Sequence, residues 1–563
     1  MPRFLSSIPT LVLFVALTSP AAAVTVVVPD DHPTIQAALD AGADVIQVRD
    51  GLVPERIKIA HHATIERAEL NISWLGGIWA SLPSVRSIEM APDCPSESSP
   101  QVRIRGVRFL GKVDITGCAH VVVFEGCRFD SGFVASGFNS INMIASVRGC
   151  TILGNASIGS EWTQFVGNTV IGAKVSIRAG GSHDIRANYL LGPSDVGLEL
   201  NLRDSGGEVA ENTIRGTGVG IRMLDAGGAP QPLRHNEIAD CDGNGIDYSH
   251  QWSESPLTAT CDTNRIVNCG GAGIAIRTTS GSYWNSLSMR GNVILGSGQQ
   301  GVVLENTIAY PVRGNTILDS SGDGFVTTTA AQFEGNVIGR SGGAGLKILL
   351  EPATVLGNTL FSNAGAGIHL VSSYSGDSVL RNISAFNGGP GILLEGGDAP
   401  VLGCNDWFVN AGGPTVGITP GATDLFLHPI FCDVSAADVH LAANSPLLNA
   451  GDCGLIGALG QGCNAITAVE PSSTPSPRGF LAFPVPSRGI VAFSLPPSPS
   501  PVELEVFDVA GARRWQSMLP AGTTAAQWDR RESTGRSAAP GVYFARLRRD
   551  GAEIARVRIV LTE

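Results

Sequence analysis

Cys-x-x-Cys pairs are missing from this 563-residue sequence, and no histidine pair stands beside its 11 cysteines, so no zinc or other metal site is read in it. Charge is scarce, with Asp, Glu, Lys and Arg at only 16%, and basic charge is scarcer still, leaving a net −12. The imbalance is uneven. Residues 24–476 hold 25 Lys and Arg against 42 acids, whereas residues 477–563 hold 12 Arg against 8 acids. Nothing here forms a basic stripe, which argues against nucleic acid as a partner. Polyanions are equally poor partners for so acidic a chain unless calcium intervenes. Long apolar runs are also lacking. Leu11 to Leu17 is too short to span a bilayer, and no later segment is longer and equally apolar. Pro and Gly total 103 residues, below the level that marks disorder.

What the N-terminus does have is an export signal. Arg3 supplies the charged end, Leu11–Leu17 the apolar run and Ala21-Ala22-Ala23 a small-residue cleavage site. Residues 1–23 are therefore expected to be a signal peptide. The mature chain would begin at Val24 and carry no transmembrane segment. Eleven cysteines in an exported chain imply disulfides, with one thiol left over.

The body of the chain repeats. Asn-x-aliphatic recurs at Asn168, Asn188, Asn212, Asn236, Asn264, Asn292, Asn315, Asn336 and Asn358, with poorer copies at Asn382 and Asn405, every 20–28 residues. Between these lie Gly-aliphatic-x-aliphatic segments such as Gly197-Leu-Glu-Leu, Gly220-Ile-Arg-Met and Gly245-Ile-Asp-Tyr. Both halves alternate with period two and are too short for helices. Each repeat is thus two or three short strands, and stacked repeats pair like strands in parallel. Stacked asparagines then bond amide to amide at a bend. A leucine-rich repeat has a similar period but needs fixed leucines and an outer helix. A calcium-binding nonapeptide roll needs Asp where Gly271-Ala-Gly-Ile and Gly343-Ala-Gly-Leu have an aliphatic.

The repeat resembles the right-handed parallel β-helix of the pectate-lyase-like superfamily over roughly residues 25–463. The fold class expected is all-β, a right-handed parallel β-helix over residues 24–463 followed by a small sandwich. Thr34 is placed to cap a short helix ended by Gly42, like the N-terminal cap of such proteins. Val107, Cys127 and Cys150 fall in register with the later asparagines. Fourteen ladder positions from 107 to 405 give a column about 65 Å long at about 4.8 Å per rung. The same register suggests disulfides Cys127–Cys150 and Cys241–Cys269 between rungs, and Cys453–Cys463 around a short loop. The run from Cys404 to Ile456, including His428-Pro-Ile-Phe431, resembles the closing turns of secreted β-helix proteins and is read as structure.

Residues 464–477 read as a Pro/Ser/Thr linker. Residues 478–563 show alternating strands about a dozen residues apart, the pattern of a β-sandwich. Pro484-Val-Pro486 and Pro540-Gly-Val-Tyr543 give it a resemblance to the C-terminal sorting domain of type IX secretion and the immunoglobulin-like domain of flagellar hook-capping proteins. That resemblance implies export or attachment through cell-envelope machinery, and a secreted or outer-surface location of bacterial type.

β-Helix enzymes carry their catalytic groups on the outward side of adjacent rungs. The outward column of the Gly-aliphatic-x-aliphatic strands runs Ser176, Glu199, Arg222, Asp247, Ala275, Val303, Val326, Lys347, His369, Leu393. Glu199, Arg222 and Asp247 are the catalytic candidates, a lyase needing acids for calcium and a hydrolase needing two carboxylates. Arg178, Asn201, His250 and Trp252 are candidate ligand contacts. The bland alternative is a solubilising charge ladder. The chain has no Asn-Thr-Asp or Gly-His-Gly motif, so it is unlike a polygalacturonase. No cofactor is called for, except calcium for a lyase. The expectation is a non-enzymatic carbohydrate-binding or adhesion-type scaffold. The rival is a polysaccharide lyase, epimerase or hydrolase.

Overall fold

The structure, a computed structural model, describes residues 23–49, 55–67, 84–90, 101–116, 121–136, 144–202, 206–225, 231–250, 258–278, 286–306, 308–350, 352–465, 480–483, 487–495, 498–509, 511–549 and 552–562. The expected signal peptide, apart from Ala23, and most of the expected linker lie outside them, as do Trp252, Cys94 and Cys118.

Each repeat folds into three strands that become three faces of a solenoid. Face 1 precedes the Asn, face 2 follows it, and face 3 is the Gly-aliphatic-x-aliphatic strand. In one rung these are Gly206–Ala210, Thr213–Arg215 and Val219–Asp225. Like strands pair in parallel from rung to rung. Face 2 is a sheet of 15 strands from Ser84–Val85 to Asp406–Phe408. Faces 1 and 3 merge into one 31-stranded sheet because Ala156–Val166 and Val175–Arg186 run continuously around the corner between them. Alternate aliphatics point inward and fill one continuous core along the column.

The asparagines hold the bends. Asn292 is typical. Its Nδ2 donates to Asn315 Oδ1 (2.9 Å) and to the Cys261 carbonyl (2.6 Å), and its backbone N–H donates to the same Oδ1 (3.0 Å). Its own Oδ1 accepts the N–H and Nδ2 of Asn264 at 3.0 and 3.1 Å. The residue before each Asn turns through positive φ, glycine at 291 (φ 62°) and tolerated without it at His235 (φ 54°). The ladder starts at sulfur, with Cys127 N–H donating to Cys150 Sγ and Cys150 N–H to Asn168 Oδ1. It ends at Asp424, whose Oδ1 takes both donors of Asn405 at 2.9 and 3.0 Å. The last position needs only an acceptor, so a carboxylate serves there.

The three disulfides expected from the register are corrected. Cys127, Cys150, Cys241 and Cys269 are buried free thiols, and Cys453 and Cys463 bond elsewhere: the disulfides are Cys404–Cys453 and Cys432–Cys463. In-register residues of parallel strands keep their Cβ atoms about 4.8 Å apart and pointing the same way. A disulfide needs Cβ atoms about 3.8 Å apart. The register that suggested the bridges is what forbids them. Cys241 and Cys269 instead stand in a second inward column, continued by Ser297, Ser320, Ser341, Asn363, Asn387 and Asn410, all buried. In it Asn363 Nδ2 reaches Asn387 Oδ1 at 3.0 Å and Asn387 Nδ2 reaches Asn410 Oδ1 at 2.8 Å.

The first rungs are capped. Thr34 Oγ1 accepts the Ala37 N–H (3.0 Å) at the start of helix Ile35–Asp40, which buries Ile35, Ala38 and Leu39 over the first rungs. At the other end Phe431, Val439, Leu441, Leu447 and Ile456 pack on Leu318, Val337, Phe361, Ile383 and Phe408 of face 2. The closing segment therefore covers the outside of face 2 at its last rungs. The Cys404–Cys453 bridge closes a 49-residue loop around this segment. Replacing both cysteines by Ala is expected to lower its stability by about 3–4 kcal/mol, read as earlier proteolytic cleavage within 425–460 than in the oxidised parent.

Residues 480–562 form two antiparallel sheets of three and four strands with their own core around Trp528. Glu505, on the opposite side of its strand from the core residues Leu504 and Val506, is buried beneath Arg513 (3.0 Å) and Arg546 (2.8 Å).

Candidate functional site

Face 3 is where the sequence placed the candidates, and the strand register sets them in one column. Ser176 pairs with Glu199, Glu199 with Arg222, Arg222 with Asp247, and Asp247 with Ala275. All but Ala275 are partly exposed and outward, between inward aliphatics such as Leu198, Ile221 and Ile246. Ala275 and Val303, next in the column, are buried in a small cluster with Ala272.

The three charged side chains do not stand free. Glu199 Oε1 accepts from Ser176 Oγ (3.1 Å) and meets Lys174 Nζ (3.4 Å), and its Oε2 lies 3.8 Å from Arg222 Nη1. Arg222 Nε is 4.0 Å from Asp247 Oδ2, and Asp247 Oδ1 is 3.8 Å from Arg277 Nη1. Arg277 continues to Glu305 at 3.4 Å, and Lys174 reaches Asp195 at 4.0 Å. The column is a chain of alternating charge from Asp195 to Glu305. Glu199 and Asp247 are two rungs apart, about 10 Å along the column, with a guanidinium between them. A hydrolase needs that gap open for the sugar or its water. A calcium ion at these acids would have to displace lysine and arginine. Among the described residues no group of three or more His, Cys, Asp and Glu is set to hold a metal.

Of the candidate ligand contacts, Arg178 is exposed and pairs in register with Asn201, whose Oδ1 is buried with no partner among the described residues. His250 ends the strand Ile246–His250. Lys347 and His369 are register neighbours, but His369 Nε2 binds Glu395 (2.9 Å).

Two features were not legible beforehand. At the head of the charge ladder face 3 dips into a depression of about 430 Å³, lined by Lys112, Ser131, Asn155, Ser157, Lys174 and Ser176 together with Gly132, Phe133, Val134 and Ala156. The second is an exposed aromatic at the corner between faces 3 and 1. Glu161 and Trp162 are consecutive and both outward, because the pairing to the next rung shifts there. The insertions 251–257 and 279–285, with Trp252 and Tyr283-Trp284, leave and rejoin the solenoid at that same corner. Trp162 itself sits in a repeat that carries no insertion, only 18 residues from Cys150 to Asn168, so no inserted loop singled it out.

The right-handed beta helix region family matches residues 156–317, 255–384 and 284–425. The solenoid is a right-handed parallel β-helix. No curated protein matches the chain. Among solved structures, the β-helix is similar to tailspike protein 3 of bacteriophage CBA120, at 12% identity and TM-score 0.30 over 70% of this chain and 60% of that one. It is also similar to the A-module of an Azotobacter vinelandii mannuronan C-5 epimerase, at 14% identity and TM-score 0.26 over 70% and 92%. The chain thus spans about 60% of the length of that tailspike. At these identities neither likeness bears on activity.

Proposed function

We propose that the β-helix is a non-catalytic carbohydrate-binding scaffold displayed outside the cell, with the C-terminal sheets serving export or attachment. The observation that carries it is the depression, lined by lysine, serine and asparagine beside Val134 and Ala156, that opens at the head of a charge ladder whose acids are already matched by the chain's own cations. Hydroxyl, amide and ammonium groups on one concave patch suit sugar hydroxyls. Carboxylates tied to Arg222, Lys174 and Arg277 suit neither proton transfer nor metal binding. Two disulfides in the closing segment fit an oxidising compartment.

A glycan array combined with an activity screen on uronic-acid and neutral polymers tests this reading, with retention and no turnover as the expected result. Turnover of any polymer by the purified chain refutes it. The triple variant Glu199→Ala, Arg222→Ala, Asp247→Ala is expected to weaken retention about tenfold, equal to about 1.4 kcal/mol. Its thermal transition should barely move, because each exposed ion pair contributes under about 1 kcal/mol. Unchanged retention in the triple variant would move the contact off this column.

A further inference from the structure

Trp162 is 53% exposed at the start of its face 1 strand. Its neighbour on the preceding rung is Ile144, 38% exposed, and on the following rung Ser182. Beside this column runs a second, two residues on: Ser146, Gln164, Asp184 and Glu208. An apolar strip thus borders a polar strip at the spacing of two outward positions on one strand.

The polar groups around Trp162 are set by their partners. Gln164 Oε1 accepts from Ser146 Oγ (3.2 Å) and Arg148 Nη2 (2.5 Å), which orients the amide and leaves Nε2 as a donor with no acceptor among the described residues. Glu161 lies over Gly180 and Gly181. A Cβ on Gly180 would meet its Oε2 at 2.7 Å, and one on Gly181 its Oε1 at 2.6 Å. Neither glycine has positive φ, so what they supply is room for the carboxylate and not a backbone conformation. Among the described residues that carboxylate has no hydrogen-bond or ion-pair partner. Further along the corner Gly206 and Gly207 add no side chain, and a Cβ at Gly206 would stand in open space. Among the described residues the shelf beyond the indole is therefore open.

We propose that this corner is a sugar-binding site distinct from the face 3 depression, taking a neutral hexose ring of a polysaccharide. The ring's C–H face stacks on Trp162 and Ile144, one hydroxyl donates to Glu161, and another accepts from Gln164 Nε2. An acceptor, a donor and an aromatic face together match a polyhydroxylated ring. A cationic ligand would find Glu161 and the indole favourable but would face the guanidinium of Arg148. The site rests on the carbohydrate reading above and names where and how one part of the glycan is held.

The test uses the full chain on immobilised β-glucan, mannan and galactan. Trp162→Ala is expected to weaken retention about tenfold and Trp162→Phe far less. Glu161→Ala and Gln164→Ala, changes at half-buried outward positions that leave the core untouched, are each expected to weaken it about threefold, so the assignment stands or falls even if Trp162→Ala folds poorly. Retention equal to wild type in all four variants, with loss in Lys112→Ala/Lys174→Ala, overturns this site and leaves the carbohydrate reading intact. No retention of any glycan by the wild type overturns both. Displacement by choline but not by free hexoses would assign the platform to a cation and overturn the proposal.

Discussion

Asn292→Ala is expected to lower the stability of the solenoid by about 3–5 kcal/mol, the largest loss anticipated from a single substitution in the chain. The side chain is fully buried and accepts two hydrogen bonds while donating two. Alanine removes all four. The Asn264 N–H then has no acceptor and the Cys261 carbonyl loses its Nδ2 donor, both inside a column closed to water. Each orphaned buried group costs about 1–3 kcal/mol, and the vacated volume adds to that. Asn264 Nδ2 and Asn315 Oδ1 suffer less, because they keep the Leu233 carbonyl (2.8 Å) and the Asn292 N–H (3.0 Å). Urea unfolding of variant and parent measures the difference. The control is Thr316→Ala, one residue beyond a ladder Asn but outward, expected within about 0.5 kcal/mol of the parent. Equal losses in the two variants would show that the Asn ladder is ornamental.

The ladder was legible because a solenoid writes its cross-section into the sequence once per rung. Asn-x-aliphatic and Gly-aliphatic-x-aliphatic fixed the inward and outward sides, so Glu199, Arg222 and Asp247 fall in one outward column as the spacing required. What the column does was not legible. Lys174 lies just before its strand and Arg277 two residues beyond the column position of its own, and only three-dimensional reach shows that they close the charge chain. Trp162 was hidden for a related reason. Period two assigns alternate residues to opposite sides, but the shift at Ser160–Trp162 sets two consecutive residues outward. The cysteines misled because sharing a column reads as proximity. Stacked side chains are neighbours, yet their parallel Cβ vectors hold them one strand spacing apart. Cys404 and Cys453 share no repeat, since the closing segment folds back across face 2 outside the periodic part of the chain.

That fold-back buries one carboxylic acid at a cost that depends on pH. Asp406 is an outward residue of face 2, buried where the chain runs on from Leu425, which pairs beside it, to Leu427. Its Oδ1 accepts the Leu427 N–H (2.8 Å), and its Oδ2 is buried with no partner among the described residues. Burial, with the nearby charge of Asp424, pushes its pKa up to about 7 from an ordinary 3.8. At pH 3 the group is protonated in folded and unfolded chains alike and costs nothing. Between pH 4 and pH 7 the unfolded chain releases this proton while the folded chain keeps it, so stability falls as pH rises. Above pH 7 the loss is complete, about 4 kcal/mol at about 1.4 kcal/mol per pH unit of separation. Asp406→Asn abolishes the titration and keeps the bond to Leu427. Its Nδ2 takes the place of the unpartnered Oδ2, which costs about 1–2 kcal/mol at every pH. The variant is therefore expected to be about 2–3 kcal/mol more stable than the parent at pH 8 and slightly less stable at pH 4. The measurement is the difference in unfolding free energy between the two proteins across that range. A difference that stays flat with pH would mean that Asp406 ionises in the folded chain as readily as in the unfolded one, and that the closing segment admits water to it.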